Sequence, residues 1–185
     1  TVVRGVPELL IIYLLFFAGL TQLEYRRAWL MVVLFLGCAL FWSGFEQAGS
    51  SFTLFAERLT DRQFGSFLVP TGWFQSLNPL FIVLLGLPFS MLWSRLGERG
   101  RNPATPVKMY LGLAQVALGF VFLVIAVFEM QRTGDMKSGM IWLVLGYLFH
   151  TTGELCISPV GLSMVTKLAP LRLGSLMMGV WFMIN

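Results

Sequence analysis

The 185-residue sequence has little charge and few reactive side chains for its length. Only 12% of its residues are charged, its one histidine is His150, and its two cysteines are Cys38 and Cys156. An ordinary soluble domain has about 25% charged residues, so this composition is not that of a typical soluble protein. One histidine and two distant cysteines form neither a zinc motif nor a disulfide framework, and we expect ordinary packing roles for both thiols.

The sequence also lacks the local motifs of common soluble enzymes. It has no Gly-x-Ser-x-Gly elbow, no phosphate-binding glycine loop and no histidine–cysteine cluster. The net charge of +4 would point to nucleic acid in a soluble chain. Here the basic residues lie in short gaps between apolar stretches, so membrane topology explains them better. We expect no metal, no catalytic residues and no nucleic acid partner.

Long apolar stretches make up most of the chain. Hydrophobic residues account for 57% of it, and the mean hydropathy is +0.78. A membrane-spanning helix needs about 20 apolar residues, and the sequence predicts helices at 8–23, 28–56, 63–96, 107–130, 139–168 and from 173 onward. The first is short for a span. These features predict an all-α membrane protein. The sequence has no initial Met and no leader pattern, so we expect it to be part of a longer chain.

Basic residues are unevenly divided between the alternate loops. One set, of eight, is Arg26, Arg27, Arg95, Arg99, Arg101, Lys108, Lys167 and Arg172. The opposite set, of five, is Arg4, Arg58, Arg62, Arg132 and Lys137. Because cytoplasmic loops carry an excess of lysine and arginine, the loops with eight basic residues are predicted to be cytoplasmic.

Glu154 lies in the middle of the apolar stretch 139–168. A carboxylate at bilayer depth costs about 2.5 to 3.5 kcal/mol on insertion scales, and such residues normally face a water-filled path or a partner. The polar and small residues around it fall on one helical stripe: Tyr147, His150, Thr151, Ser158 and Gly161. The stripe predicts a helix that lines a polar cavity. His150 is either a proton-sensitive partner of Glu154 or a histidine held inside the bundle.

Glu46 is the second acid inside a predicted span. Trp42, Ser43, Gly49 and Ser50 share its helical face. A glutamate that snorkels to water from a helix end is the alternative, but about a third of the span follows Glu46, which favours a functional acid.

Three prolines are predicted to interrupt spans. A proline inside a helix frees the carbonyl four residues earlier, and such carbonyls are tolerated where they line a cavity or meet a neighbour. The pairs are Pro79 with Gln75, Pro88 with Leu84, and Pro159 with Leu155. A simple packing kink is the alternative, above all for Pro88. The amides of Gln75 and Asn78 lie one turn apart beside the first of these breaks, where they suit a peptide, a sugar or a helix contact.

Four sequence blocks in this order and spacing resemble the proton-dependent oligopeptide transporters of the major facilitator superfamily. The blocks are Phe41-Trp42…Phe45-Glu46-Gln47…Gly49-Ser50, Gln75-Ser76-Leu77-Asn78-Pro79, Gly153-Glu154…Ser158-Pro159…Gly161, and Met178-Gly179-Val180-Trp181-Phe182. They are similar to the seventh, eighth, tenth and eleventh helices of that fold. The resemblance implies that 1–27 is an extra inserted helix with a cytoplasmic linker and that 28–185 is an incomplete C-terminal transmembrane bundle.

The resemblance also implies roles for individual residues. Glu154 would bind the amino terminus of a peptide, and Glu46 would exchange protons. The substrate pocket would be lined by Trp42, Gln75, Asn78, Ser158 and Trp181. Glu57 or Asp61 would be the acidic half of an outer gate, with a solvated surface charge as the alternative. The N-terminal six-helix half would supply the remaining proton-coupling acids and the basic residues for the peptide carboxylate.

The implied function is proton-coupled symport of di- and tripeptides across a bacterial cytoplasmic membrane, with no cofactor other than protons. Three alternatives remain: transport of another small solute such as nitrate by the same fold, a membrane-embedded enzyme that uses His150 and Glu154, and a channel. An acid in the pocket favours a cargo with a cationic group, because it repels anions.

Overall fold

A computed structural model of the chain describes residues 19–170 and 173–184. The helices of these residues are α1 (Gln22–Phe45), α2 (Ser51–Arg58), α3 (Gly72–Gln75), α4 (Leu77–Glu98), α5 (Thr105–Thr133), α6 (Met140–Leu168) and α7 (Gly174–Ile184). Four two-residue strands accompany them: β1 (Thr60–Asp61), β2 (Gln63–Phe64), β3 (Phe67–Leu68) and β4 (Ser138–Gly139). A 3₁₀ turn, Glu46–Gly49, separates α1 from α2.

Four segments are long and apolar enough to cross a membrane. They are Gln22–Arg58, which runs through α1 and α2, then Gly72–Glu98, which contains α3 and α4, and the two helices α5 and α6. The helices predicted at 107–130 and 139–168 are confirmed to within three residues at each end. Gly134, with φ of +76°, ends α5 in the left-handed conformation that glycine adopts most easily.

The first span begins earlier than the sequence analysis predicted. Thr21 and Glu24 form a capping box, in which the Thr21 hydroxyl accepts from the Glu24 backbone N–H and the Glu24 carboxylate accepts from the Thr21 backbone N–H. The gap between the helices predicted at 8–23 and 28–56 is therefore wrong, because its charged residues do not interrupt a well-capped helix. Most of the helix predicted at 8–23 lies outside the described residues.

The same span is broken where a continuous helix was predicted. α1 ends at Phe45, and α2 starts only at Ser51. In between, the hydroxyls of Ser50 and Ser51 donate to the Gln47 side-chain carbonyl at 3.1 and 2.8 Å. Serine hydroxyls that bond locally compete with helix formation, and Gly49 adds backbone freedom. The prediction of one continuous helix over 28–56 is therefore wrong, because the helix ends just before Glu46.

The helix predicted over 63–96 is also divided. Its first residues form the β2–β3 hairpin, whose turn contains Gly65 at φ of +61°. After α3, the main helix begins at Leu77, which places Pro79 in its first turn. A proline is tolerated there because first-turn N–H groups have no partner within the helix. Pro79 therefore starts a helix rather than breaking one, whereas Pro88 does lie inside α4.

α6 is the central helix and contacts every other described helix. It packs most extensively on α5, and pairs of glycines face each other at two close approaches of these helices. A Cβ added to Gly112 would lie 3.0 Å from the Gly153 carbonyl oxygen, and one added to Gly119 would lie 3.1 Å from that of Gly146. Small residues let helix backbones approach closely in membranes. Parallel pairing of β1 with β4 ties the end of α2 to the start of α6.

Candidate functional site

Glu154 is the middle residue of α6 and is half-buried. Asn78, in the first turn of α4, donates from Nδ2 to Glu154 Oε2 at 2.9 Å and to Thr151 Oγ1 at 3.1 Å. The Thr151 hydroxyl in turn donates to the Tyr147 carbonyl at 2.8 Å. The sequence analysis predicted Glu154 and Asn78 separately, and the structure brings them together.

The Glu154 carboxylate has unused hydrogen-bonding capacity. A carboxylate has about four acceptor positions, and Asn78 uses one of them. No lysine or arginine among the described residues pairs with Glu154. A half-buried carboxylate that is oriented by an amide and lacks a cation has the chemistry to accept hydrogen bonds from a positively charged donor, such as an ammonium group.

A second polar cluster lies where the first span is broken. The Ala48 carbonyl accepts from the Tyr147 phenol and from the Thr53 hydroxyl, both at 3.2 Å. Gln75 donates from Nε2 to Thr53 Oγ1 at 3.0 Å. The backbone acceptor thus comes from the Glu46–Gly49 turn, which contains no proline.

A cavity of about 160 Å³ separates this turn from the start of α4. Its lining residues are Phe45, Ala48, Gly49, Gln75, Asn78, Tyr147 and His150. The cavity therefore lies between the turn that carries Glu46 and the amide that holds Glu154.

His150 does not pair with Glu154. It is 1% exposed, and its ring packs against Phe45, Phe52 and Phe120 with centroids 6.0, 4.6 and 5.1 Å away. The Val116 carbonyl approaches the ring, but neither ring nitrogen makes a well-formed hydrogen bond to a described residue. The residues of the polar stripe therefore have two different environments. His150 packs against aromatic side chains, whereas Thr151 and Glu154 accept hydrogen bonds from Asn78.

Glu46 is in a different environment from Glu154. It is exposed, and its carboxylate makes no ion pair or hydrogen bond with a described residue. Trp42, one turn earlier, is half-buried against Phe41 and Phe45, with ring centroids 5.5 and 5.1 Å away. The indole Nε1 of Trp42 is buried without a hydrogen-bond partner in the described chain.

The remaining predicted residues are dispersed. Trp181 is 3% exposed and packs on Phe35 at 5.9 Å, with its ring directly over Gly161. Ser158 is half-buried on α6. The described chain alone does not place either residue beside Asn78, so their pocket roles stay predictions.

Glu57 and Asp61 are exposed near the end of the first span. Asp61 accepts from the Gln63 backbone N–H at 3.1 Å and lies opposite Gly139 in the β1–β4 pair. Within the described chain neither acid forms an ion pair. Their gating role is untested and stays a prediction. The described residues contain no group of three or more metal-ligating side chains.

Comparison with known proteins identifies the family. The profile of the POT family matches residues 11–185. The chain is a member of the POT family.

Relatives of known name include the peptide transporter YePEPT of Yersinia enterocolitica, 39% identical over 181 residues that cover 98% of this chain and 35% of that protein. A di-/tripeptide transporter of Lactococcus lactis subsp. cremoris is 38% identical over 86% of this chain and 32% of its own length. The chain spans about a third of the length of the relatives that it matches.

Solved structures of the POT family have the same fold as this chain. One, a variant peptide transporter in complex with alafosfalin, has a TM-score of 0.90 and 34% identity and covers 100% of this chain and 37% of its own. Another, a POT family transporter in complex with 5-aminolevulinic acid, has a TM-score of 0.85 and 29% identity, with coverage of 100% and 38%. The predicted fold class, an all-α membrane bundle of the major facilitator superfamily, is confirmed.

Two polar groups of this POT family member were missed by the sequence analysis: Thr53 and the Ala48 carbonyl. Both bond across the broken span. A signal was present, because Gly49, Ser50, Ser51 and Thr53 have low helix propensity and bond readily to nearby backbone. That cluster could have predicted the end of α1.

Proposed function

We propose that the full-length protein transports di- and tripeptides together with protons by alternating access. The observation that supports this most strongly is the Asn78–Glu154 pair, a half-buried carboxylate at mid-helix whose amide partner lines a small cavity. Relatives of the chain carry names such as peptide transporter and di-/tripeptide transporter. Binding at mid-membrane between two halves of a bundle is the general arrangement of such transporters.

Glu154 would bind the ammonium group of the peptide. A peptide is a zwitterion, and its ammonium group is prohibitively costly to bury without a charged partner. The hydrogen bond from Asn78 holds one carboxylate oxygen at 2.9 Å and leaves the other oxygen for the substrate. The side chains of Gln75, Ser158, Trp42 and Trp181 would complete the chain's share of the pocket.

Glu46 would exchange protons with water. Its exposed position in a 3₁₀ turn leaves its carboxylate uncovered by the described chain, and proton affinity depends on contact with water and on charged neighbours. A basic residue elsewhere in the longer protein would pair with Glu46 in one of the transport states. Glu57 or Asp61 would contribute an acid to the outer gate, since both are exposed at the end of the same span.

A different small solute is the second candidate. A POT family structure in complex with 5-aminolevulinic acid supports cargo other than peptides, and that molecule also has an amino group. Glu154 favours such cationic groups over nitrate, because a carboxylate repels an anion. A membrane-embedded enzyme is disfavoured by the packing of His150 against three aromatic rings, away from Glu154.

The protein would act in the inner membrane of a bacterium, as its bacterial relatives indicate. It would need no cofactor other than protons.

The test is Glu154→Gln in the full-length protein. Dipeptide affinity is expected to fall roughly 100-fold, since removal of one partner of a buried charge pair costs about 2 to 5 kcal/mol. Glu98→Gln, an exposed position at the end of α4, is the control and should bind normally. Isothermal titration with dialanine measures both. Unchanged affinity in a folded Glu154→Gln protein would refute the substrate role.

A further inference from the structure

The start of α5 combines positive charge with an absence of compensating acids. The helix begins after Ala104, which makes no side-chain cap, and its first turn contains no acidic residue. Lys108 lies in that turn and is only 7% exposed. Because a helix N-terminus carries partial positive charge, a buried lysine there adds to an unfavourable potential.

The described structure gives the Lys108 ammonium an aromatic contact but no counter-ion. Nζ lies 4.4 Å from the centroid of the Trp93 ring on α4. No described carboxylate pairs with Lys108, and Lys167 on α6 adds like charge to its electrostatic surroundings. The Cys156 thiol also lies nearby, but it is uncharged as a thiol and accepts from Gln115 at 3.3 Å. A contact with a ring face compensates only part of the loss of hydration of a buried charge.

Trp93 supplies a second unused donor. Its indole Nε1 is buried and has no hydrogen-bond partner among the described residues. An ammonium and an indole N–H are donors that suit an oxyanion. At the start of α5 the Thr105 N–H is the backbone donor that no described residue uses, because Pro106 has no N–H and the Val107 and Lys108 N–H groups bond to the Ala104 carbonyl.

The surroundings indicate an anion with an apolar tail. Met91 and Leu92 on α4 and Val107 and Leu111 on α5 are exposed hydrophobic residues close in sequence to Trp93 and Lys108. Tyr110, an aromatic residue typical of the membrane interface, is 70% exposed. Arg95, Arg99 and Arg101 add charge at the same end of the two helices, on the side predicted to be cytoplasmic.

We propose that Lys108, Trp93 and the N-terminus of α5 form a binding site for the phosphate of an anionic phospholipid, with Lys167 as a second cation. The phosphate would accept from the ammonium and from the indole, and the acyl chains would lie along the exposed apolar residues of α4 and α5. Anionic lipids bind basic pockets between transmembrane helices in this way.

The experiment is native mass spectrometry of the detergent-purified full-length protein with phosphatidylglycerol, or with phosphatidylcholine of the same acyl chains. Lys108→Gln is expected to lower phosphatidylglycerol binding about fivefold, the value for one surface lysine. Lys108→Arg should retain most of the binding, and Trp93→Phe, which keeps the ring but loses the N–H, should show a smaller loss.

Lys137→Gln is the matched control, because it removes the same charge from an exposed position on the predicted opposite side. Equal loss in Lys108→Gln and Lys137→Gln, or no loss in either, would refute the site. Wild-type protein with no preference for phosphatidylglycerol would do so even if Lys108→Gln failed to fold. Displacement of the lipid by an equal concentration of inorganic phosphate would assign the site to a free anion instead. None of these outcomes depends on peptide transport.

Discussion

The two acids inside the spans have opposite environments. Glu154 is half-buried at the middle of an unbroken helix and is held by Asn78 at 2.9 Å, whereas Glu46 is exposed, unpaired and located where its helix breaks. A fixed carboxylate presents a defined geometry to a ligand, as recognition requires. A carboxylate in an irregular turn can change its partners and its contact with water, as proton exchange requires. The contrast supports separate roles for the two acids.

Glu46→Gln should produce the largest effect on transport and should best separate proton exchange from substrate binding. In proteoliposomes, accumulation of dipeptide driven by a pH gradient should be lost, because an amide cannot carry the proton. Exchange of labelled for unlabelled dipeptide, without a gradient, should continue, because Glu154 and Asn78 are intact. Glu98→Gln should retain both activities. If Glu46→Gln also stopped exchange, Glu46 would belong to substrate binding and the contrast would fail.

Asn78→Ala should weaken dipeptide binding about tenfold, since a hydrogen bond to a charged group contributes about 1.5 to 3 kcal/mol. The variant leaves the charge of Glu154 in place but removes the donor that orients it. Gln75→Ala is the comparison variant: Gln75 is proposed to line the same pocket, but its amide bonds to Thr53 rather than to Glu154. Isothermal titration of the full-length variants should show a much smaller loss for Gln75→Ala. Similar losses would mean that the cavity as a whole, rather than the Asn78–Glu154 bond, determines affinity.

The sequence singled out the two acids but not their surroundings. An intramembrane carboxylate stands out because it is costly in any apolar environment, so Glu46 and Glu154 were identified without knowing their neighbours. The Asn78–Glu154 bond joins residues on two different helices and depends on how these pack, which periodicity along one helix does not report. Likewise, His150 shares the stripe of Glu154 but lies against Phe120 on α5.

Helix ends depended on local bonding rather than hydropathy. Hydropathy averaged along the sequence does not report side-chain hydrogen bonds. The bonds from Ser50 and Ser51 to the Gln47 side chain, which accompany the end of α1, therefore leave no mark in it. A similar limit applied at Gly65, where one glycine turn converted a predicted helix start into a hairpin.

Gly112→Ala and Gly49→Ala compare how tightly the helix around Glu154 and the turn around Glu46 are packed. A Cβ at Gly112 would lie 2.5 Å from Ile157 and 3.0 Å from the Gly153 carbonyl, next to Glu154, whereas one at Gly49 would meet nothing within 4 Å. Overpacking of a tight contact costs about 1 to 3 kcal/mol. Gly112→Ala should lower the apparent melting temperature in detergent, and Gly49→Ala should leave it nearly unchanged. Equal melting temperatures would show that α5 does not brace the Glu154 region.

Trp42→Ala and Trp181→Ala should give the smallest effect on peptide binding, a change in selectivity of a few fold. Trp42 is half-buried one turn before Glu46, so its removal should weaken peptides with bulky apolar side chains more than dialanine, because an aromatic wall offers those side chains apolar area. Trp181 packs over Gly161 and Phe35, and its loss should also lower the melting temperature, since truncation of a buried tryptophan leaves a cavity. Competition assays with dialanine and with a phenylalanine-containing dipeptide measure the selectivity. An equal loss for both peptides in Trp42→Ala would reduce Trp42 to a packing residue and remove it from the pocket.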